Sequence, residues 1–280
     1  MHFWDRRMTT LRWPWLDHFS DHAPVLRAER YTAHDYLLDT AALDVSGAVH
    51  VQAAESPDPV VESRWLSEMA EGRGTPGAIV AACSLIEPTA AATLRRHAAV
   101  RRVRGIRDMT LPPDVELADI AGALDTVADC GLSVEIRLPL DRFDTLAELA
   151  EHWPTVTFVL GSAGVPMGPA PRPDPEWASA LARLAPHDNW VCKISGLIGR
   201  LGSDWSAELL SPFVSGVLET FGAGRAMFGT NWPVESAVAD LGEILTAYRT
   251  VASELSDADA DALCHRTASR VYGFERADEQ

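Results

Sequence analysis

Seven short apolar runs alternate with amphipathic stretches along the chain. Ala48 to Ala54 (AVHVQAA) leads into Pro59 to Glu71, where Val60, Val61, Trp65, Leu66 and Met69 fall close to helical spacing. Ala78 to Cys83 (AIVAAC) precedes Thr89 to Ala99, which is rich in Ala, Leu and Arg. Val103 to Met109 precedes Pro113 to Cys130, and Gly131 reads as the C-terminal cap of that helix. Leu132 to Leu138 precedes Thr145 to His152. Thr157 to Leu160 ends in Gly161-Ser162-Ala163-Gly164, and Trp190 to Ile194 ends in Ser195-Gly196. Ala226 to Phe228 is followed by Val238 to Leu255, and a last helix runs from the N-cap Ser256 to about Tyr272.

Strands alternating with helices predict a parallel sheet with crossover connections. An open doubly wound sheet usually shows G-x-G-x-x-G after its first strand, and this sequence has none. The expected fold is therefore α/β, a (β/α)8 TIM barrel forming one domain over residues 1–280. An eighth strand fits only at the N-terminus, where Met1-His2-Phe3-Trp4 reads as the tail of a clipped first strand. Two segments are irregular: Asp5 to Thr32, carrying Trp13, Trp15, His18 and His22, and the proline-rich Val165 to Pro175. Long segments of this kind act as lids over a site or pack through their aromatic residues.

Charge narrows the partners. Lys+Arg of 24 against Asp+Glu of 40 gives a formal charge of −16. Such a surface repels phosphate backbones and anionic membranes, which leaves a small-molecule substrate as the expected partner. Oligomerisation is left open. The four cysteines are widely spaced with no C-x-x-C pair, which favours buried thiols. No apolar run reaches the roughly 18 residues of a membrane span, and no signal-peptide h-region opens the sequence, so a cytoplasmic location is expected.

In a barrel the strand C-termini share one mouth. That gathers His2, Gln52, Glu55, Arg107, Asp108, Arg137, Ser162, Ser195 and Asn231, with Trp232 and Glu235 beyond. Arg107 and Arg137 offer forked donors for a carboxylate or a polarised carbonyl, unless ion pairs with Asp108 and Glu135 consume them. Lys193 shares a strand face with Ser195 and enters the barrel on this reading, where an internal ion pair is the simple alternative. His50 reads as a core histidine rather than a base.

Phe228-Gly229-Thr230-Asn231-Trp232-Pro233-Val234 resembles the last-strand signature of the amidohydrolase-related branch of the amidohydrolase superfamily. That branch includes sugar-acid lactonases and 2-pyrone-4,6-dicarboxylate lactonase. His2-Phe3-Trp4-Asp5, Val51-Gln52-Ala53 with Glu62-Ser63-Arg64-Trp65-Leu66, Arg104-Gly105-Ile106-Arg107 and Lys193-Ile194-Ser195-Gly196-Leu197 resemble further family segments in register. The resemblance implies the (β/α)8 barrel. Metal-bearing members open with a His-x-His pair, of which only the second has a counterpart here, His2; the first would fall one residue before Met1. Ser162 stands where a histidine is expected, and Asn231 where an aspartate often stands. A serine, an amide and one imidazole are a poor set for a transition metal, so no metal and no other cofactor are expected.

The resulting expectation is a metal-independent hydrolase acting on a lactone or another small cyclic ester. His2, Arg107 and Asn231 are the catalytic candidates, with Asp108 as a substitute base. Gln52, Asp108, Arg137, Ser162 and Trp232 are the substrate-binding candidates. A lyase, dehydratase or cyclase acting on a small acidic or aromatic metabolite is an alternative, suited by Trp13, Trp15 and Trp232 around a dry mouth. A non-catalytic binding member is a second alternative.

Overall fold

Parallel pairing dominates the structure, a computed structural model that describes residues 1–19, 23–164 and 172–274. A two-stranded antiparallel ribbon joins β1 (Trp4–Asp5) to β2 (Arg30–Tyr31). The main sheet then runs in sequence order through β3 (Val49–Val51), β4 (Ala78–Ala82), β5 (Val103–Arg107) and β6 (Ser133–Ile136). It continues through β7 (Phe158–Leu160), β8 (Trp190–Ile194) and β9 (Ala226–Phe228), every neighbour parallel. A helix follows each strand, as sequential parallel pairing requires: Val60–Met69, Ala90–Ala98, Leu117–Cys130, Phe143–His152, Pro175–Leu184, Ala207–Phe221 and Leu241–Ala252. This seven-stranded α/β sheet is of the TIM-barrel type.

Both faces of the strands are buried, which explains their continuous apolar runs. Phe158, Leu160, Trp190, Cys192 and Ile194 pack with helix residues such as Leu124, Leu146 and Val214. The alternating Val51, Val80, Val159, Val191 and Met227 form a separate cluster closed by Tyr272. Residues of opposite parity thus serve the two faces of one strand.

The N-terminal segment lies between the two ends of this sheet without being a regular strand. The Met1 carbonyl accepts from the Val51 amide at 3.1 Å, and the His2 amide donates to the Trp232 carbonyl at 2.8 Å. The next donor, the Phe3 amide, goes to His50 Nε2 at 2.9 Å instead of to a carbonyl. The ladder breaks there. His50 is a core residue as expected but only half satisfied: its buried Nδ1 has no hydrogen-bond partner among the described residues.

The Asp5–Thr32 segment leaves along β1 and returns along β2, and its tryptophans pack. Trp13 meets Trp65 edge-on at 6.1 Å, Trp4 stacks on Tyr31 at 5.3 Å, and Trp15 Nε1 donates to the Ala53 carbonyl at 2.7 Å. His18 is exposed. His22 and the Val165–Pro171 part of the proline-rich segment lie outside the described residues. Gly131 caps its helix at φ 63°, and Ser256 caps the C-terminal helical segment. The four cysteines are free, with Cys83 and Cys192 buried. No helix among the described residues is long and apolar enough to cross a membrane.

Candidate functional site

Two of the residues singled out in the sequence sit in backbone conformations that side chains rarely adopt. Ser162, just past β7, has φ 51°, and Asn231, just past β9, has φ 50°. Left-handed non-glycine residues are costly and cluster where geometry serves function. Gly196, just past β8, lies between them: a Cβ there would stand 3.4 Å from Ser162 Oγ, 3.7 Å from Asn231 Nδ2 and 3.8 Å from Glu235 Oε1. Three strand ends therefore converge on one spot, and the glycine makes the approach feasible.

His2 joins them from the N-terminal segment. Its Nδ1 lies 2.9 Å from the Val51 carbonyl and its Nε2 lies 3.3 Å from Asn231 Oδ1. A carbonyl only accepts, so Nδ1 carries the hydrogen. Burial, followed by the charges of the chain's amino group and Arg107, holds the imidazole well below its ordinary pKa. His2 is thus held neutral, with the lone pair on Nε2. Asn231 Nδ2 donates to Glu235 Oε1 at 3.1 Å, and the Gly199 amide donates to Glu235 Oε2 at 2.5 Å. Burial raises the Glu235 carboxyl against the opposing influence of these bonds and of Arg200.

Arg107 is less free than a forked clamp requires. Its Nε and Nη2 donate to Gln52 Oε1 at 3.2 and 2.8 Å, and Nη2 also donates to the Gln52 carbonyl at 2.6 Å. Only Nη1 is left, 4.0 Å from Glu135. Gln52 Nε2 donates to the Ala54 carbonyl, so both ends of its amide are used within the protein. This corrects the expectation for both residues: Gln52 holds Arg107, and Arg107 presents one edge. Glu135 is ion-paired to Lys193 at 2.5 Å, the internal pair anticipated for that lysine. Burial alone would raise the Glu135 carboxyl, but Lys193 and Arg107 hold it below its ordinary value.

Arg107, Glu135, Arg137 and Ser162 line a cavity of about 60 Å³. At roughly 30 Å³ per water, that is room for one polar group of a ligand rather than a whole substrate. Arg137 is exposed at its rim and makes no hydrogen bond or ion pair to the described residues. Arg137 also depresses the pKa of Arg107 and of Arg200, in each case after burial. Two arginines and two carboxylates, Asp108 and Glu135, thus share the cavity wall. A larger concavity of about 530 Å³ lies between helices Ala207–Phe221 and Leu241–Ala252, lined by the helix caps Ser206 and Asp240 and holding none of these groups.

Two candidates at this centre spend their side-chain polar atoms on the protein itself. Asp108 also borders the cavity, but its oxygens accept from the Leu85 amide and from the Thr110 amide and hydroxyl, each at 2.7 Å. Its carboxylate anchors the surrounding loop. The Trp232 ring is buried, with Nε1 donating to Tyr31 Oη at 2.7 Å, and Tyr31 donates in turn to Asp39. Its contribution is the main-chain carbonyl that receives the His2 amide. Sequence reasoning assigned no role to two residues that matter, Glu62 and Glu235. The Asn231-x-x-x-Glu235 spacing was the available signal for Glu235. Glu62, which accepts from the Ala53 and Ala54 amides through one oxygen, gave none beyond its segment.

The donor set does not fit a transition metal. His2 offers one imidazole nitrogen, Nε2, Ser162 is neutral, Asn231 offers an amide, and no three His, Cys, Asp or Glu among the described residues are disposed to hold an ion.

Comparison with known proteins adds to this geometry. A family model described as amidohydrolase matches residues 1–274. An L-fucono-1,5-lactonase of Burkholderia multivorans is 29% identical, covering 99% of this chain and 96% of the relative. An uncharacterized protein of Sinorhizobium fredii is 28% identical over 97% of this chain and 96% of its own length. A crystal structure from Burkholderia multivorans with bound zinc superposes with a TM-score of 0.79 at 24% identity, covering 98% and 97% of the two chains. At that identity it speaks for the fold alone.

Proposed function

The chain belongs to the amidohydrolase family, and from that premise we propose that it hydrolyses a small cyclic ester, a lactone, without a metal ion. The Met1–Phe3 segment acts as the eighth stave, closing the barrel between β3 and the end of β9. The observation that carries the reading is the meeting of a neutral imidazole, His2, with Asn231, Ser162 and a cavity bearing Arg107 and Arg137 at one end of the sheet. The relationship to an L-fucono-1,5-lactonase supports it.

In this reading the lactone carbonyl sits at the cavity, facing Arg107 Nη1 and Arg137. Fixed cations aimed where negative charge develops lower the barrier most in a site shielded from water. His2 Nε2 takes a proton from water as its oxygen attacks the carbonyl carbon. Collapse of the tetrahedral intermediate breaks the ring C–O bond, and the proton passes from His2 to the departing alkoxide. The product is a hydroxy acid whose new carboxylate pairs with Arg137. Ser162 and Asn231 orient the water and the carbonyl.

The alternative of a lyase acting on a planar substrate relied on a ring of tryptophans. Trp13 and Trp232 are buried in the core, which leaves Trp15, 5.8 Å from the His2 ring, as the remaining support. A panel of sugar-acid lactones and simpler cyclic esters, followed by acid release with and without chelator, tests the proposal. Turnover that persists in chelator is expected. Ligand binding with no turnover across the panel would favour the non-catalytic reading instead.

A further inference from the structure

The contact between His2 and Asn231 contains a conflict that hydrogen-bond chemistry must resolve. With Nδ1–H given to Val51, the neutral ring presents a lone pair at Nε2, and Asn231 Oδ1 faces it at 3.3 Å. Two acceptors oppose each other inside the protein. The ends of a side-chain amide exchange by rotation about one bond. Turning Asn231 lets Nδ2 donate to His2 Nε2. It also brings Oδ1 to Glu235 Oε1, where Nδ2 now stands at 3.1 Å. That contact is an attraction only if Oε1 carries a hydrogen.

We propose that in the resting protein Glu235 is a protonated acid whose Oε1–H donates to Asn231 Oδ1, while Asn231 Nδ2 donates to His2 Nε2. Glu235 Oε2 is held by the Gly199 amide, so the hydrogen is confined to Oε1. The opposite arrangement needs a proton on His2 and none on Glu235, with the amide turned back. The two states hold the same number of protons and differ by one proton moved from Glu235 to His2. Asn231 itself never titrates; its orientation couples the two groups. Glu235 is 4% exposed and His2 9%, so neither acquires a bulk-water partner cheaply.

The charged and titratable surroundings bear on both ends. Arg107, His50 and the chain's amino group face His2; burial lowers the amino group to about 5, so Arg107 is the cation that disfavours charging His2 at neutral pH. Arg200 and Tyr248 face Glu235; Arg200 opposes its protonation, and burial outweighs it. For the lactonase reading on which this rests, Glu235 becomes a positioning residue: through Asn231 it sets the basicity of His2, and Asn231 Nδ2 must turn off Nε2 before that lone pair takes a proton from water.

Nitrogen-15 NMR of the full-length protein labelled at its histidine rings tests the inference without any substrate, with the His2 signals assigned by their loss in His2→Gln. At neutral pH the wild type is expected to show His2 as a neutral ring with hydrogen on Nδ1. Infrared difference spectra between wild type and Glu235→Gln should contain a carboxylic-acid carbonyl band. In Glu235→Gln the Gly199 amide fixes the new carbonyl, so its NH2 must face Asn231 and lock the amide against His2 protonation. The His2 titration should move down by roughly a unit or more, a tenfold change in the protonation equilibrium. An imidazolium at neutral pH in the wild type, absence of the acid band, or an unmoved titration in a folded Glu235→Gln would each overturn the proposal. None of these outcomes depends on lactone turnover, so failure of the activity panel is read separately.

Discussion

Gln52 holds Arg107 by main chain and side chain together, with Arg107 Nη2 2.6 Å from the Gln52 carbonyl and 2.8 Å from its Oε1. The guanidinium is thereby fixed to the end of β3 rather than left to swing onto its neighbour Glu135. A cation held this way loses little freedom when a carbonyl approaches its open edge.

Gln52→Ala removes the side-chain acceptor and leaves only the carbonyl. Arg107 should then shift toward Glu135, and kcat/KM on a turned-over lactone should fall on the order of 10²-fold, the usual result of a misplacement near 1 Å. Stability should drop by only about 1 kcal/mol. A variant with full activity would show that Arg107 needs no such support.

Truncating the cation itself is the harsher test. Arg107→Ala should cost on the order of 2–4 kcal/mol of transition-state stabilisation, as for loss of an oxyanion donor. Arg107→Lys should recover only part, because an ammonium cannot bridge Gln52 and the cavity together. Steady-state kinetics of both variants decide it, and unchanged values would reduce Arg107 to a partner of Gln52 and Glu135.

Metal content gives an independent check. The purified protein, after dialysis, should carry no stoichiometric zinc or manganese, and chelator should leave turnover intact. The reason is the donor set: a single imidazole nitrogen, a serine and an amide. One bound metal per chain together with chelator-sensitive activity would mean that other groups complete a site.

The strands were legible because burial on both faces writes continuous apolar runs, and Trp190–Ile194 and Ala226–Phe228 match the structure residue for residue. The helix Ala207–Phe221 was harder to read, since Pro212 interrupts the local signal while Leu210, Phe213, Val214 and Val217 still bury one face. Site residues were legible as positions at strand ends. Their bonding was not, because hydrogen-bond partners come from distant segments: Arg107 finds Gln52 fifty-five residues away. Asp108 and Trp232 illustrate the cost of that gap, since both stand at the expected ends of strands but spend their polar atoms on structure.

Glu62 yields a prediction with a definite sign. It is buried, its Oε1 accepts from the Ala53 and Ala54 amides, and burial pushes its pKa up to about 7. The unfolded chain ionises this carboxyl near its ordinary value, about 4.3. Between there and about 7 the folded protein holds the proton that the unfolded chain has lost, so stability falls as pH rises through this window. Glu62→Gln keeps an oxygen for the two amides but cannot ionise. Denaturant unfolding of both proteins across the window should show wild type losing ground to the variant by up to about 4 kcal/mol and then levelling off. A constant difference, or one growing in the other direction, would mean that Glu62 is already ionised in the folded protein at low pH. The Ala53 and Ala54 amides, followed by Arg107, would then be the reason, since these favour the Glu62 carboxylate.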